Sequence, residues 1–307
     1  MSRRLGSGRL HGGYARAQPA PGRYPQPSQE TIMPSERVRP PAVAGRFYPA
    51  DPQQLADDVR QYLNAAQFPD DCLAPPLVKA IIAPHAGYVY SGPIAASAYL
   101  HLACSDIPVQ RFILVGPAHF APVRGLAISG ADAFETPLGR VPIDAARREA
   151  ALATPHVRVD DLAHRPEHCL EVQLPFLQVL FPDFTIVPLL VGDTDAGEVA
   201  AVLERLWGGP DTRIVISSDL SHYYSGTIAR QLDAETAAAI IALDARALRD
   251  DAACGREAIA GLLVEAQRHA MTAAALDLRH SGDTGGPFDR VVGYGAFSFV
   301  EAAPAAF

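Results

Sequence analysis

The sequence predicts a single three-layer α/β/α domain with a mostly parallel central sheet over residues 39–302, and two observations carry that prediction. Short apolar strands without polar alternation recur along the chain, the mark of strands buried on both faces. Amphipathic helical stretches separate them, which is how parallel strands are connected. No internal repeat or interdomain linker interrupts the pattern.

Residues 1–38 mix Arg, Gly, Pro, Ser and Gln with almost no periodic apolar positions, so too little surface can be buried to offset ordering entropy. A disordered tail is expected there, and a second short tail at 303–307. Next, Asp51 followed by Pro52 forms an N-cap and first-turn pair for a helix with Leu55, Val59 and Leu63 on one face. The strands then read as "VKAIIAP", "RFILVGP", "LAISG", "TIVPLLVG", "RIVISSD" and "VVGYGAFSFV". Helices are expected at "PIAASAYLHLA", "LEVQLPFLQVLF", "GEVAAVLERLW", "ARQLDAETAAAIIAL" and "REAIAGLLVEAQRHA". The Gly-rich "HSGDTGGPFDRVVGYG" reads as a loop feeding the last strand. Its "GYGAF" opens no helix, so no nucleotide cofactor is expected.

Composition sets outer bounds. A net charge of -8 with pI near 5.7 leaves no basic footprint for nucleic acid. The longest apolar runs, such as "FTIVPLLVG", fall far short of the roughly 20 residues a membrane-spanning helix needs, and no apolar signal core follows the first methionine. A cytoplasmic protein with no membrane partner is therefore expected. Cys72, Cys104, Cys169 and Cys254 are scattered without a CxxC pair, which argues against a zinc ribbon or a disulfide framework. Cys72, Cys104 and Cys169 are read as structural.

The chemistry gathers where strands end. In open α/β sheets the ligand site lies beyond the carboxyl ends of the strands. "IIAPHAGY" delivers His85, "ILVGPAHF" delivers His119, and "IVISSDLSHY" delivers Asp219 and His222. Neutral imidazoles with a carboxylate suit a transition-metal site with open positions, or a general acid/base cluster without metal. Cys254 precedes a helix, where the dipole favours thiolate; a small buried side chain is the competing reading. His168 and Glu171, at i,i+3 after Pro166, either face the same pocket or form an ordinary first helical turn. Tyr88 either lines the pocket or packs beneath the loop.

"RPPAVAGRFYPAD", "APHAGYVYSG", "GPAHF", "ETPLGRVPID", "EHCLEVQLPFLQ", "SSDLSHY" and "CGREAIAGLL", in this order, closely resemble the Memo family, whose prokaryotic members are called AmmeMemoRadiSam system protein B. The resemblance implies a fold similar to the class III extradiol dioxygenases, which hold non-haem iron with two histidines and a carboxylate. It carries the metal-pocket positions of the family onto His85, His119, Asp219 and Cys254, and the acid/base role onto His222. The dioxygenase glutamate ligand corresponds to Cys254 here, a softer donor that shifts preference toward copper or reduced iron. The usual serine after "EH" is Cys169, and a second histidine common after "GPAH" is Phe120. The resemblance therefore implies a pocket that binds iron or copper, or a peptide or partner. The alternative is an active oxygenase or other redox enzyme working on a small aromatic substrate. AMMECR-type and radical S-adenosylmethionine proteins of the same system are the partners it implies.

Overall fold

The computed structural model of the protein describes residues 36–67, 77–104 and 107–301. The tails expected at 1–38 and 303–307 lie outside those residues but for 36–38, as does Cys72. In chain order the strands are β1 (Val38–Arg39), β2 (Val78–Ala83), β3 (Arg111–Pro117), β4 (Leu126–Ile128), β5 (Ala133–Thr136), β6 (Gly139–Pro142), β7 (Val157–Val159), β8 (Thr185–Val191), β9 (Thr212–Ser217), β10 (His222–Tyr224), β11 (Thr272–His280) and β12 (Val291–Val300). The helices are α1 (Pro52–Ala65), α2 (Tyr88–Leu102), α3 (Ala145–Leu152), α4 (Asp161–His164), α5 (Leu174–Leu180), α6 (Ala196–Leu206), α7 (Gly226–Ile241), α8 (Arg256–Arg268) and α9 (Ser281–Thr284).

The large sheet runs β10-β12-β2-β9-β3-β8-β4-β7, with β11 on the other side of β12. Its centre, β2-β9-β3-β8, is parallel, as the unalternated runs require. Both margins turn antiparallel, through β12 against β2 and β4 against β8. A small sheet, β1-β5-β6, sits beside it. Alternation along the central strands divides the core into two layers. Ile81, Phe112, Leu114 and Val215 pack with Leu55, Ile94 and Phe176 of α1, α2 and α5. Ile82, Ile113, Val115 and Ile214 pack with Val199, Leu203, Ile259 and Leu262 of α6 and α8. The three-layer α/β/α domain is thus present.

Several elements differ from expectation. The α1 cap is as predicted, with Asp51 accepting from the Gln54 amide at 2.8 Å. Helix α2, however, begins five residues earlier than predicted, at Tyr88, and carries Pro93 inside it. The segment after Pro166 is not one helix: a 3₁₀ turn at Glu171–Gln173 leads into α5, so His168 and Glu171 share no helical face. The Gly-rich loop contains α9, and the edge strand β11 was not predicted. Cys104 is disulfide-bonded, against the expectation of single thiols. No helix among the described residues is long and apolar enough to cross a membrane.

Candidate metal centre

The strand order explains why distant histidines meet. β2, β9 and β3 are neighbours and run parallel. His85, Asp219 and His119 each stand two residues beyond the last residue of those strands. Cys254 arrives from the other direction, just ahead of α8, whose start is pressed against the end of β9. A side chain at Gly255 would place its Cβ 2.8 Å from both Cβ and Oγ of Ser218, so the approach needs glycine. The Gly255 amide donates to Ser218 Oγ at 2.9 Å, and the Asp219 amide donates to Cys254 Sγ at 3.3 Å.

Hydrogen bonds fix which nitrogen of each imidazole is free. Gln173 Nε2 donates to Pro84 O (3.0 Å) and Ser217 Oγ (2.8 Å), while its Oε1 accepts from Tyr99 OH (2.7 Å). The Ser217 hydroxyl proton goes to Cys169 O at 2.7 Å. Ser217 Oγ can then only accept from His85 Nδ1, 2.9 Å away, so His85 carries its proton on Nδ1. Its Nε2 lone pair points at Cys254 Sγ, 3.3 Å away. His119 Nδ1 donates to Glu167 Oε1 at 3.0 Å, which leaves Nε2 as its lone-pair nitrogen too. His85, His119 and Cys254 each offer one donor atom within 4.8 Å of the others. Two imidazoles and a thiol are a donor set for iron, copper or zinc rather than for magnesium or calcium.

Electrostatics point the same way. Burial, then the neighbouring His119 charge, pushes His85 down to about 3. Burial, then the Asp219 charge, pushes the Cys254 thiol up to about 12. Without a cation the pair is a neutral imidazole beside a neutral thiol, not the thiolate–imidazolium pair of a cysteine nucleophile. A bound cation would supply the positive charge that thiolate formation lacks. Burial works to raise the Glu167 carboxyl, but hydrogen bonds and charge from His119 outweigh it and bring it down to about 2.

The remaining predicted residues fall in different places. Asp219 is buried, and its Oδ1 accepts the His85 amide at 2.7 Å; burial raises its pKa. It belongs to neither group of three potential ligands among the described residues. His222 opens β10, with Nδ1 at 2.7 Å from Leu220 O, near enough for its charge to act on both His85 and Asp219. His168 stacks on His119 at 4.9 Å between ring centres and forms a second group of three with His119 and Glu167. Tyr88 lies in the core, its hydroxyl donating to Val172 O at 2.6 Å. Glu171 is fully buried and serves Arg39, Tyr48 and the Ala42 and Val43 amides. Sequence reasoning did not single out Glu167, which grips His119, or Ser217, which holds His85. The signal for Glu167 was its place beside His168 in "PEHC". A cavity of about 390 Å³ opens beside Cys254, lined also by Pro117, Gly192 and Arg256.

A MEMO1 family protein of Aquifex aeolicus (strain VF5) is 38% identical over 270 residues, covering 84% of this chain and 97% of its own. One from Methanosarcina barkeri (strain Fusaro / DSM 804) is 35% identical over 272 residues, covering 84% and 98%. Among solved structures, an uncharacterized protein from Escherichia coli K12 matches at TM-score 0.46 and 15% identity, covering 70% of this chain and 99% of that one. The family model described as Memo-like protein matches residues 39–298, and with it the chain belongs to the Memo family.

Proposed function

We propose that this protein holds a redox-active transition ion, iron or copper, on His85 Nε2, His119 Nε2 and Cys254 Sγ. One observation carries the reading: both Nδ1 atoms are spent on fixed partners, and His85, His119 and Cys254 offer donor atoms within 4.8 Å of one another. Structural zinc sites take four protein ligands, whereas three leave positions open for a substrate or water. When bound, such an ion supplies one-electron or Lewis-acid chemistry. The chain itself supplies the three donors, a buried carboxylate at Asp219 and His222 as the group placed to move a proton. The test is metal content after anaerobic purification. Near-stoichiometric metal is expected in wild type and in Asp219→Asn, and its loss in His85→Ala and Cys254→Ala; equal content in wild type and His85→Ala would overturn the ligand assignment.

A second reading, an oxygenase acting on a small aromatic substrate, draws support from two exposed rings. Phe120, 59% exposed, packs edge-on against His119 and His168, and Tyr223, 64% exposed, against His222. An aromatic substrate entering there would meet ring faces. Steady oxygen uptake with a catechol, abolished in His222→Ala, is its test; no uptake above the His222→Ala rate removes it. The partners implied by resemblance, AMMECR-type and radical S-adenosylmethionine proteins or a peptide, belong to the binding reading. Co-purification with the first two, lost on pocket substitution, would support it.

A further inference from the structure

We propose that Glu167 is a positioning residue, one that sets the tautomer and aim of His119 and through them the affinity and ligand field of the bound ion; this rests on the metal reading above. The carboxylate is 2% exposed and holds His119 at two points. Oε2 accepts the His119 backbone amide at 2.6 Å, and Oε1 accepts ring Nδ1 at 3.0 Å. With main chain and ring both held by one rigid group, the imidazole cannot turn about its side-chain bonds without losing a charge-assisted hydrogen bond. The same Oε1 takes the amides of His168 (2.9 Å) and Cys169 (3.0 Å), which lock the carboxylate in place. His168 Nδ1 lies 3.3 Å from it without hydrogen-bond geometry, so this second imidazole does not compete for the oxygen.

The arrangement is the carboxylate–histidine pair that orients metal-ligating imidazoles and raises their basicity. His85 is held differently, by the neutral Ser217 hydroxyl. The two imidazoles are therefore unequal donors, with His119 the stronger because an anion stands behind it. A purely structural Glu167, serving only the turn at 167–169, would have no need to reach the ring of a residue on another loop.

Two measurements on full-length protein test this, ring ¹⁵N NMR of the metal-free form and titration with Co(II) alone. Wild type should show His119 protonated at Nδ1. Co(II) should bind with a thiolate charge-transfer band, and Glu167→Gln, which keeps shape but loses charge, should weaken it about 10–100-fold and shift the d–d bands. Glu167→Asp, which keeps charge but shortens reach, should act in the same direction and serves if the first variant misfolds. A wild-type His119 protonated at Nε2 overturns the proposal, as does Co(II) binding by Glu167→Gln with wild-type affinity and spectrum. Failure of wild type to take up Co(II) at all overturns the metal reading and this inference with it.

Discussion

Removing the Glu171 carboxylate should destabilise the domain severely without touching any potential metal ligand. The group is 0% exposed and accepts four donors: Arg39 (2.7 Å), the Ala42 amide (2.7 Å), the Val43 amide (3.0 Å) and Tyr48 OH (2.6 Å). In Glu171→Ala, Arg39, itself 6% exposed, keeps its carbonyl partners at His164, Glu167 and Pro40 and the face of Phe134 but loses its counter-charge. Breaking a buried ion pair from one side costs about 3–5 kcal/mol, and each orphaned amide adds about 1–3 kcal/mol. Relaxation and water entry recover part of this, so a loss of about 4–6 kcal/mol is expected, a large share of a typical domain's total of about 5–15 kcal/mol. Urea unfolding followed through the single tryptophan, Trp207, measures it, with an unchanged m-value expected. A loss under about 1 kcal/mol would refute the assignment of Glu171 as the anchor of the N-terminal segment. So would selective loss of metal uptake at full stability.

Metal-free protein should lose stability as pH falls below about 6.5. Burial holds His85 down to about 3 and His164 and His168 to about 4, so each stays neutral in the fold while the unfolded chain takes up the proton. The unfolded state then binds more protons, and stability falls by up to about 1.4 kcal/mol per pH unit per histidine; urea midpoints that stay flat from pH 7 to 4.5 would contradict this. Glu167 adds to the loss at lower pH: its contribution is present above about 4.5 and disappears as pH falls through about 2. Gly255→Ala should cost about 1–3 kcal/mol by overpacking against Ser218 and should weaken Co(II) binding by displacing Cys254. Calorimetry and titration showing neither effect would mean that the start of α8 can retreat freely.

The parallel centre was legible because strands buried on both faces must be apolar at every position, as in "VKAIIAP" and "RIVISSD". The strand β11 was not, because "TAAALDLRH" is an edge strand, mostly exposed or half-buried, and shows neither a continuous run nor clean alternation. The start of α2 was hidden by Gly87 and Pro93, residues that normally punctuate helices. For the site, the strand-end rule found His85 and His119 because local sequence shows where a strand stops. It cannot show what reaches across: Glu167 approaches His119 from 48 positions away, and Cys254 approaches His85 from 169 away. The surroundings of Glu171 were equally invisible, since Arg39 and Tyr48 lie more than 120 positions before it.

The order of the central strands also bears on how the chain is made. Residues 85 and 119 emerge early in synthesis, but β9 must slot between their two strands, and Cys254 follows later still. Until then the two histidine loops cap an incomplete sheet with exposed edges, a state prone to mispairing. No ribosome-bound intermediate shorter than about 255 residues can present all three donors, so an ion held on all of them would be acquired only after near-complete synthesis. If an ion is held on these donors, its uptake reports that the chain from β2 to the start of α8 has come together.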